Sequence, residues 1–233
     1  MRGGTMPNVR IAPRRYTRRR RARRTPALLL ACVLVALVVG ASAVALCHAA
    51  PGATASSAGE AAASTPRSEW RAGEVPHLYQ TDPAWADSPY AGGTIRENGC
   101  GPTALAMAYV ALTGRDDMGP VEMAAFAERG GYVSDGMSTW TLMSEGAAEL
   151  GLTSEELPAD EGSVRAALLA GHPVICSVRP GDFTTTGHFI VLAGLADDGE
   201  VVVRDPNSAE RSGRTWDLGR VLGQCANLWE LSA

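Results

Sequence analysis

The sequence predicts an α+β domain in which a helical half carries a cysteine and packs on an antiparallel sheet. Helical periodicity dominates from residue 102 to residue 169, whereas three segments rich in β-branched residues follow between residues 173 and 205. The last two of these segments flank Asp198-Gly199, a turn signal that predicts a hairpin. Helices first and strands later, without strict alternation, indicate α+β architecture.

Four segments of the helical half predict helices. Residues 102–112 have the pattern of a buried helix that ends at Thr113-Gly114. Residues 118–128 and 139–150 follow, the second entering through Ser138. A shorter helix over residues 163–169 stops at Gly171, just before a proline. The sheet half is then predicted from three strands, PVICSVR, HFIVLAGL and EVVVRD.

The charge of the chain is divided between its two ends. All 21 basic residues are arginine, and ten of them precede Thr25. From Glu60 onward, 11 arginines face 25 acidic residues, so the body carries a net charge of −14. The chain therefore combines a basic tail with an acidic body.

An uncharged apolar run over residues 27–46 follows the basic tail. It has about the 20 residues that a helix needs to cross a bilayer. Adjacent basic residues stay on the cytoplasmic side, so the remainder is expected outside the cytoplasm. This context favours a membrane topology signal over a nucleic-acid arm. The length of the run favours an uncleaved anchor, while small-residue sites near residues 41–43 and 47–49 leave a cleaved signal peptide open.

These features predict four parts of the chain. Residues 1–25 form an Arg-rich cytoplasmic tail, and residues 26–47 form a signal-anchor or signal peptide. Residues 48–69 are rich in Ala, Ser, Gly and Thr, which predicts a flexible linker. Residues 70–233 form the folded domain, which is long enough for one core.

Three cysteines lie beyond the membrane segment. Cys176 and Cys225 stand in apolar contexts that predict core packing, with a disulfide between them as the alternative. Cys100 differs, because it lies between two glycines just ahead of Pro102, a residue suited to the first turn of a helix. A thiol at a helix start is favoured as thiolate by the helix dipole and the free N–H groups. The flanking glycines are expected to give a substrate backbone access.

A cysteine nucleophile needs a base and a group that orients the base. Of the domain's histidines, His77 and His172 are expected in surface or loop positions, whereas His188 opens a predicted strand. Asp205 ends the partner strand just before Pro206, where it can hold the Nδ1 side of an imidazole or form an Asx turn. A tight turn at Asp198-Gly199 leaves Asp205 about four residues, or roughly 13 Å, short of facing His188. Contact between them therefore requires a wider loop or a bulge.

Four motifs occur in a recognisable order: Gln80 in LYQTDPAW, Cys100 in NGCGPTALAM, His188 in GHFIVLAG and Asp205 in RDPNS. In this order and spacing the chain resembles the papain-like cysteine peptidases related to the bacteriocin (double-glycine) leader peptidases, in particular their stand-alone exported members. The resemblance implies Cys100 as nucleophile, His188 as base and then acid, and Asp205 as the group orienting the imidazole. It also implies that the Gln80 amide and the Cys100 backbone N–H donate to the oxyanion.

The implied reaction is hydrolysis of a peptide or protein through a thioester. No residues have the spacing of metal ligands, so no metal or cofactor is expected. The other expected partner is the membrane, through the N-terminal apolar segment; no nucleic acid is expected, and the oligomeric state is open. Two alternatives remain at this stage: a cell-wall amidase or endopeptidase, and a catalytically silent binding module with the same fold.

Overall fold

Residues 63–233 are the part of the chain that the computed structural model describes, and a six-stranded antiparallel sheet runs through its centre. The strands are β1 (Pro89–Tyr90), β2 (Gly93–Thr94), β3 (Val133–Ser134), β4 (Met137–Ser138), β5 (Thr153–Glu156), β6 (Val174–Val178), β7 (His188–Leu195), β8 (Val201–Arg204), β9 (Thr215–Trp216) and β10 (Cys225–Ser232). The helices are α1 (Ile95–Asn98), α2 (Cys100–Thr113), α3 (Pro120–Arg129), α4 (Ala147–Glu149), α5 (Glu161–Leu169), α6 (Ala209–Ser212) and α7 (Leu218–Leu222). A 3₁₀ turn (Arg67–Glu69) precedes them, and a π-helical turn (Leu142–Gly146) leads into α4.

The strand order in the sheet is β5-β10-β6-β7-β8-β9, and β1–β2 and β3–β4 are separate small hairpins. Apolar side chains of β6 and β7 alternate between two core clusters. One cluster contains α2 and α3, and the other contains α5 and α7. The central strands are thus covered by helices on both faces, which confirms the α+β class and explains why all five residues of β6 are buried.

Helix α2 confirms the predicted helix and anchors Cys100 at its first turn. Residues 101–111 are all buried, and Leu105 and Met107 are fully enclosed. Each such side chain contributes about 1.5–3 kcal/mol relative to exposure to water. The helix ends at Gly114, whose φ of 69° is the left-handed cap that glycine adopts without strain. Burial along its whole length holds the helix start in a fixed place.

The other predicted helices form with shifted boundaries. Helix α3 begins at Pro120, two residues later than expected, because proline occupies its first turn. Helix α5 begins two residues early, because the Asp160 carboxylate caps it by accepting from the Ser163 N–H at 2.9 Å. The predicted entry of the 139–150 helix through Ser138 is wrong. Ser138 ends strand β4, and its hydroxyl bonds to that of Tyr90 at 2.6 Å.

Half of the central sheet lacks a clear strand signal in the sequence. Strand β10 lies between β5 and β6, but a register shift between Cys225 and Asn227 interrupts its alternation. Strand β5 reads TSEE and lies at an edge, where polar residues are tolerated. Strand β9 has only two residues. Periodicity alone therefore recovers β6, β7 and β8 only.

The β7–β8 hairpin confirms the predicted turn, but not its tight form. Residues 196–200 connect the strands, with Leu195 paired to Val201, and the register shifts between Leu192 and Gly194. Both the wider loop and the bulge that contact requires are present. Val191 of β7 pairs with Arg204 of β8. One position further along this pairing, Asp205 lies opposite a β7 residue that is two positions from His188, so the side chains of Asp205 and His188 are on the same face of the sheet.

The folded body begins before residue 70. The Ser64 backbone N–H donates to the Asp82 carboxylate at 2.8 Å, and the Thr65 carbonyl accepts from the Trp70 indole at 2.9 Å. The last residues assigned to the linker thus belong to the domain. Composition could not predict this boundary, because it does not reveal which residues form hydrogen bonds. Within residues 63–233 no helix has the length and apolar character needed to cross a bilayer. The predicted tail, the apolar run at residues 27–46 and most of the linker lie outside the described residues.

Candidate active site

Cys100 is the first residue of α2 and is partly exposed. The His188 ring at the start of β7 and the backbone N–H groups of Gly101 and Phe189 lie near its thiol and act to lower the pKa of that thiol. These donors are arranged by the helix start and by the end of the strand. The structure therefore brings Cys100 and His188 together.

The two glycines beside Cys100 serve the packing of the protein itself. A Cβ on Gly99 would lie 2.5 Å from the Ile95 carbonyl oxygen, and one on Gly101 would lie 2.3 Å from Ser138 Oγ. The expectation that these glycines open access for a substrate backbone is therefore wrong. They allow α1 and the β3–β4 hairpin to approach the start of α2.

Asp205 is 1% exposed and completes the contact chain through His188. Its Oδ1 accepts from His188 Nε2 at 2.7 Å. The expectation that the acid holds the Nδ1 side of the ring is wrong in this detail. Because Asp205 takes Nε2, Nδ1 is the ring nitrogen left for the Cys100 thiol.

Three neighbours hold Asp205 in place. Oδ1 also accepts from the Asn207 backbone N–H at 2.8 Å, and Oδ2 accepts from Arg211 Nε at 2.5 Å. The Asp205 backbone N–H donates to Ser212 Oγ at 2.8 Å. The sequence analysis did not identify Arg211 as part of the site. The available signal was Ser208, which caps the short helix α6 by accepting from the Arg211 N–H and so holds Arg211 close to Asp205.

The electrostatics of the three groups are coupled. Burial acts to raise the pKa of the Cys100 thiol, but the nearby His188 ring with its charge and the Phe189 and Gly101 N–H groups together outweigh burial, so the pKa lies below its ordinary value. Burial acts to lower the pKa of His188, but the hydrogen bond to Asp205 and the nearby Cys100 thiol raise it to about 9. Burial likewise opposes ionisation of Asp205, while His188 and Arg211 hold its pKa below the usual range. The arrangement favours a thiolate paired with an imidazolium.

Gln80 is buried and lies beside the segment that leads to Cys100. Its Nε2 donates to the Arg96 carbonyl at 2.7 Å and makes a longer contact of 3.4 Å to the Ile95 carbonyl. Its backbone N–H donates to the Pro206 carbonyl at 2.7 Å, which ties it to the Asp205 turn. Gln80 is not among the residues that line the cleft, and its role in binding an oxyanion stays a prediction.

A cleft of about 400 Å³ opens beside Cys100 and His188. Its lining residues are Glu97, Asn98, Cys100, Met137, Ser138, Trp140, Ser177, Thr186, Gly187, His188 and Phe189. Within residues 63–233, no group of three or more His, Cys, Asp or Glu side chains is placed to hold a metal ion. The cleft opens over the Cys100 thiol and the His188 ring.

The other histidines and cysteines of residues 63–233 do not line this cleft. His77 contacts the Tyr79 hydroxyl at 3.1 Å, and His172 contacts the Glu230 carboxylate at 2.6 Å. Cys176 and Cys225 are both buried free thiols without a disulfide bond, in agreement with the core-packing interpretation.

A thiol at a helix start, an imidazole and a buried carboxylate on an α+β fold are the arrangement of papain-like cysteine peptidases. The family model described as the Peptidase_C39 like family matches residues 73–232. The chain belongs to this family and is a cysteine peptidase.

Among solved structures, the chain is similar to the peptidase domain of Streptococcus ComA, described as a bi-functional ABC transporter involved in a quorum-sensing pathway. The two share 18% sequence identity with a TM-score of 0.41, over 58% of this chain and 92% of that chain. No curated protein matches this chain.

The thiol of Cys100 is expected to react faster than those of Cys176 and Cys225 with iodoacetamide at mildly acidic pH. The lowered pKa of Cys100 increases its thiolate fraction, whereas burial raises the pKa of Cys176 well above its ordinary value, and Cys225 is only 5% exposed. Peptide mapping by mass spectrometry over a time course gives each rate. A His188→Gln variant is expected to slow labelling of Cys100 alone. Equal, slow labelling of the three thiols would contradict an activated Cys100.

Proposed function

We propose that this chain is an exported, membrane-tethered cysteine peptidase that cleaves peptide bonds through Cys100, His188 and Asp205 by way of a thioester. The observation that carries the proposal is the buried contact between His188 Nε2 and Asp205 Oδ1, with the same ring beside the Cys100 thiol in one cleft. This contact sets the orientation of the imidazole relative to the nucleophile.

Acylation begins with attack of the Cys100 thiolate on the carbonyl carbon of the scissile bond. The bond from sulfur to carbon forms, and the carbonyl oxygen becomes an oxyanion. When this intermediate collapses, the carbon–nitrogen bond breaks and His188 Nδ1 gives its proton to the leaving amine. Asp205 keeps Nε2 protonated and stabilises the imidazolium before transfer. The product of this half-reaction is a thioester on Cys100.

Deacylation reverses the role of His188. Neutral Nδ1 takes a proton from water, and the hydroxide oxygen attacks the thioester carbon. The carbon–sulfur bond then breaks, which releases the carboxylic acid product and restores the thiolate beside an imidazolium.

The oxyanion is proposed to accept hydrogen bonds from the Cys100 backbone N–H and from the Gln80 amide. The free N–H groups of the first turn of α2 support the first donor. The position of the Gln80 amide beside Ile95 and Arg96, in the segment that leads to Cys100, supports the second. Each well-aimed donor is worth about 2.7–4 kcal/mol of transition-state stabilisation.

The pH dependence of peptide cleavage is expected to be bell-shaped. Activity needs thiolate and imidazolium together, so it is lost as pH falls through the lowered pKa of Cys100. It is also lost as pH rises through the His188 pKa of about 9. Measurement of kcat/KM for an uncharged peptide from pH 4 to pH 11 would define the acidic and alkaline limbs of the pH profile. An alkaline limb near the ordinary histidine value of 6.5 would contradict the proposed pairing.

Incubation of the full-length chain with casein, a peptide library and purified cell wall tests the reaction class. Cleavage of peptides that requires Cys100 is the expected result. Release of wall fragments without peptide cleavage would indicate a cell-wall amidase or endopeptidase instead. Peptide binding by the wild-type chain without turnover would indicate a silent binding module.

The proposed location rests on residues 1–47. The Arg-rich tail followed by the apolar run supports a cytoplasmic N-terminus and an external domain. Protease added to intact cells is expected to degrade the domain, and N-terminal sequencing of the mature chain would distinguish an anchor from a cleaved signal. Full protection of the domain in intact cells, with digestion after lysis, would contradict export.

A further inference from the structure

Two hydroxyl groups form a hydrogen-bonded pair beside the cleft, and the catalytic steps described above do not use them. The Tyr90 side chain is fully buried, and its phenol oxygen lies 2.6 Å from Ser138 Oγ. Ser138 ends strand β4 and lines the cleft together with Cys100 and His188. Because a Cβ on Gly101 would clash with Ser138 Oγ, this hydroxyl lies against the first turn of α2, beside the nucleophile.

The direction of this hydrogen bond follows from the burial of the phenol. Within residues 63–233, Ser138 Oγ is the only hydrogen-bond partner of the Tyr90 hydroxyl. A buried O–H that donates to nothing is costly, so Tyr90 donates and Ser138 accepts. Burial also raises the pKa of Tyr90 to about 12, so the phenol keeps its proton up to strongly alkaline pH. Tyr90 is therefore a constant donor to Ser138.

The proton of Ser138 is left free for a group in the cleft. No other hydrogen bond of its hydroxyl is formed in the part of the chain that the structure describes. Donation from Tyr90 polarises this hydroxyl and strengthens it as a donor. Ser138 is also held in place, because it pairs with Val133 in a hairpin whose turn residues, Asp135 and Gly136, have the positive φ values of a type I′ turn, 51° and 76°. The cleft thus contains a fixed, neutral hydrogen-bond donor.

The acceptor that suits this donor is an uncharged oxygen. No arginine lines the cleft, the charge of the His188 imidazolium is matched by Asp205 and the Cys100 thiolate, and the Glu97 carboxylate repels an acidic group. Each peptide bond of a substrate offers a carbonyl oxygen, which is a neutral acceptor with two lone pairs. Because Ser138 Oγ lies beside the start of α2, the carbonyl within its reach is one that flanks the scissile bond.

We propose that the Ser138 hydroxyl donates a hydrogen bond to a main-chain carbonyl oxygen of the peptide substrate next to the scissile bond, and that Tyr90 positions and polarises this hydroxyl. The contact is to the substrate backbone, so it acts on peptides of any side-chain sequence. This inference rests on the proposed peptidase function and adds a substrate-binding residue to it.

Removal of the Ser138 hydroxyl tests the contact with the full-length chain in detergent. Ser138→Ala is expected to lower kcat/KM for every peptide by about 2- to 15-fold, the effect of one neutral hydrogen bond. It also leaves the buried Tyr90 hydroxyl without an acceptor and should lower the midpoint of thermal unfolding. The double variant Tyr90→Phe, Ser138→Ala removes both polar groups, so the midpoint is expected to recover while kcat/KM stays low. Recovery of kcat/KM together with the midpoint would indicate a purely structural pair and overturn the proposal.

Substrates with single thioamide substitutions identify the carbonyl that Ser138 contacts. Thioamide sulfur accepts hydrogen bonds more weakly than carbonyl oxygen, so substitution at the contacted position is expected to lower kcat/KM of the wild-type enzyme. At one position flanking the scissile bond this loss is expected to disappear in the double variant, because both partners of one interaction have then been changed. Equal thioamide effects in the two enzymes at every position other than the scissile carbonyl overturn the contact.

Tyr109→Phe is the matched control, because Tyr109 is 1% exposed and its hydroxyl donates to Asp117 at 3.2 Å, away from the cleft lining. It is expected to leave kcat/KM unchanged, and a loss equal to that of Ser138→Ala would overturn the proposal. The rate at which iodoacetamide labels Cys100 is expected to be the same in the double variant as in the wild type.

Two further outcomes separate this contact from the rest of the mechanism. A fall in Cys100 labelling that matches the fall in kcat/KM would assign the Ser138 hydroxyl to the thiolate and overturn its proposed contact with substrate. Absence of cleavage of every peptide by the wild-type chain overturns the proposed function and this inference with it.

Discussion

Replacement of Cys100 by alanine is expected to lower kcat/KM for peptide cleavage by at least about 10⁴-fold, the range seen when a hydrolase loses its nucleophile. The variant lacks the sulfur that forms the thioester, and His188 cannot supply a substitute on the same trajectory. Folding should be almost unchanged, because the Cys100 side chain is partly exposed and lies at the helix start. Steady-state kinetics with circular dichroism and thermal unfolding would measure both effects.

Cys225→Ala provides the matched thiol control. Cys225 is the buried first residue of β10 and donates to the carbonyl of Val221 in α7 at 3.4 Å, and it is not part of the cleft lining. Its loss should reduce stability modestly and leave kcat/KM within a few-fold of the wild-type value. Turnover by Cys100→Ala within about tenfold of wild type would remove Cys100 from the mechanism.

Replacement of Asp205 by asparagine is expected to lower kcat by about 10²–10⁴-fold with little change in KM. The Asp205 carboxylate accepts on both oxygens, from His188 on one and from Arg211 on the other. Asparagine has one acceptor only, so its amide N–H₂ must face either the His188 Nε2–H or the Arg211 Nε–H. The buried donor without an acceptor favours the wrong tautomer or a rotated ring.

The Arg211→Gln variant identifies which donor causes the loss. In the double variant, the new glutamine side chain offers an oxygen to the amide N–H₂ of the new asparagine, which lets the asparagine oxygen accept from His188. Part of the kcat lost in Asp205→Asn is therefore expected to return in the double variant, although Arg211→Gln alone should lower kcat. A purely structural role for Arg211 predicts instead additive losses of stability and of kcat.

Thermal unfolding separates these roles further. Asp205→Ala leaves the Arg211 guanidinium and the Asn207 N–H without their buried acceptor, and is expected to cost about 3–5 kcal/mol of unfolding free energy. A stable Asp205→Ala variant with unchanged kcat would contradict the assignment of Asp205 as the group that orients His188.

Local patterns in the sequence were sufficient to predict the parts of this site. The helix start at Cys100 follows from glycine, proline and an apolar run, all within a few residues. The strands that carry His188 and precede Asp205 follow from β-branched alternation. Strand β10 was missed because a bulge near Ala226 interrupts that alternation, and β5 because its residues are polar.

Contacts between distant segments could not be predicted in the same way. Whether Asp205 reaches His188 depends on a five-residue loop and a bulge in β7, and each changes the register without a distinctive sequence. The ring nitrogen that Asp205 binds depends on the direction from which the α6 turn approaches the strand. Gly99 and Gly101 proved to face Ile95 and Ser138, and Ser138 belongs to a hairpin far along the chain from Gly101.

The sequence by itself determined the class of the protein, the α+β order of its elements, and the identities of Cys100, His188 and Asp205 as the residues to examine. These features depend on residue type and short-range periodicity, which a linear sequence carries directly. Only the tertiary structure decided the register that joins His188 to Asp205, the contact with Arg211, and the position of Ser138 against the first turn of α2. Those contacts arise from packing between segments tens of residues apart, where strand register, turn length and side-chain volume act together.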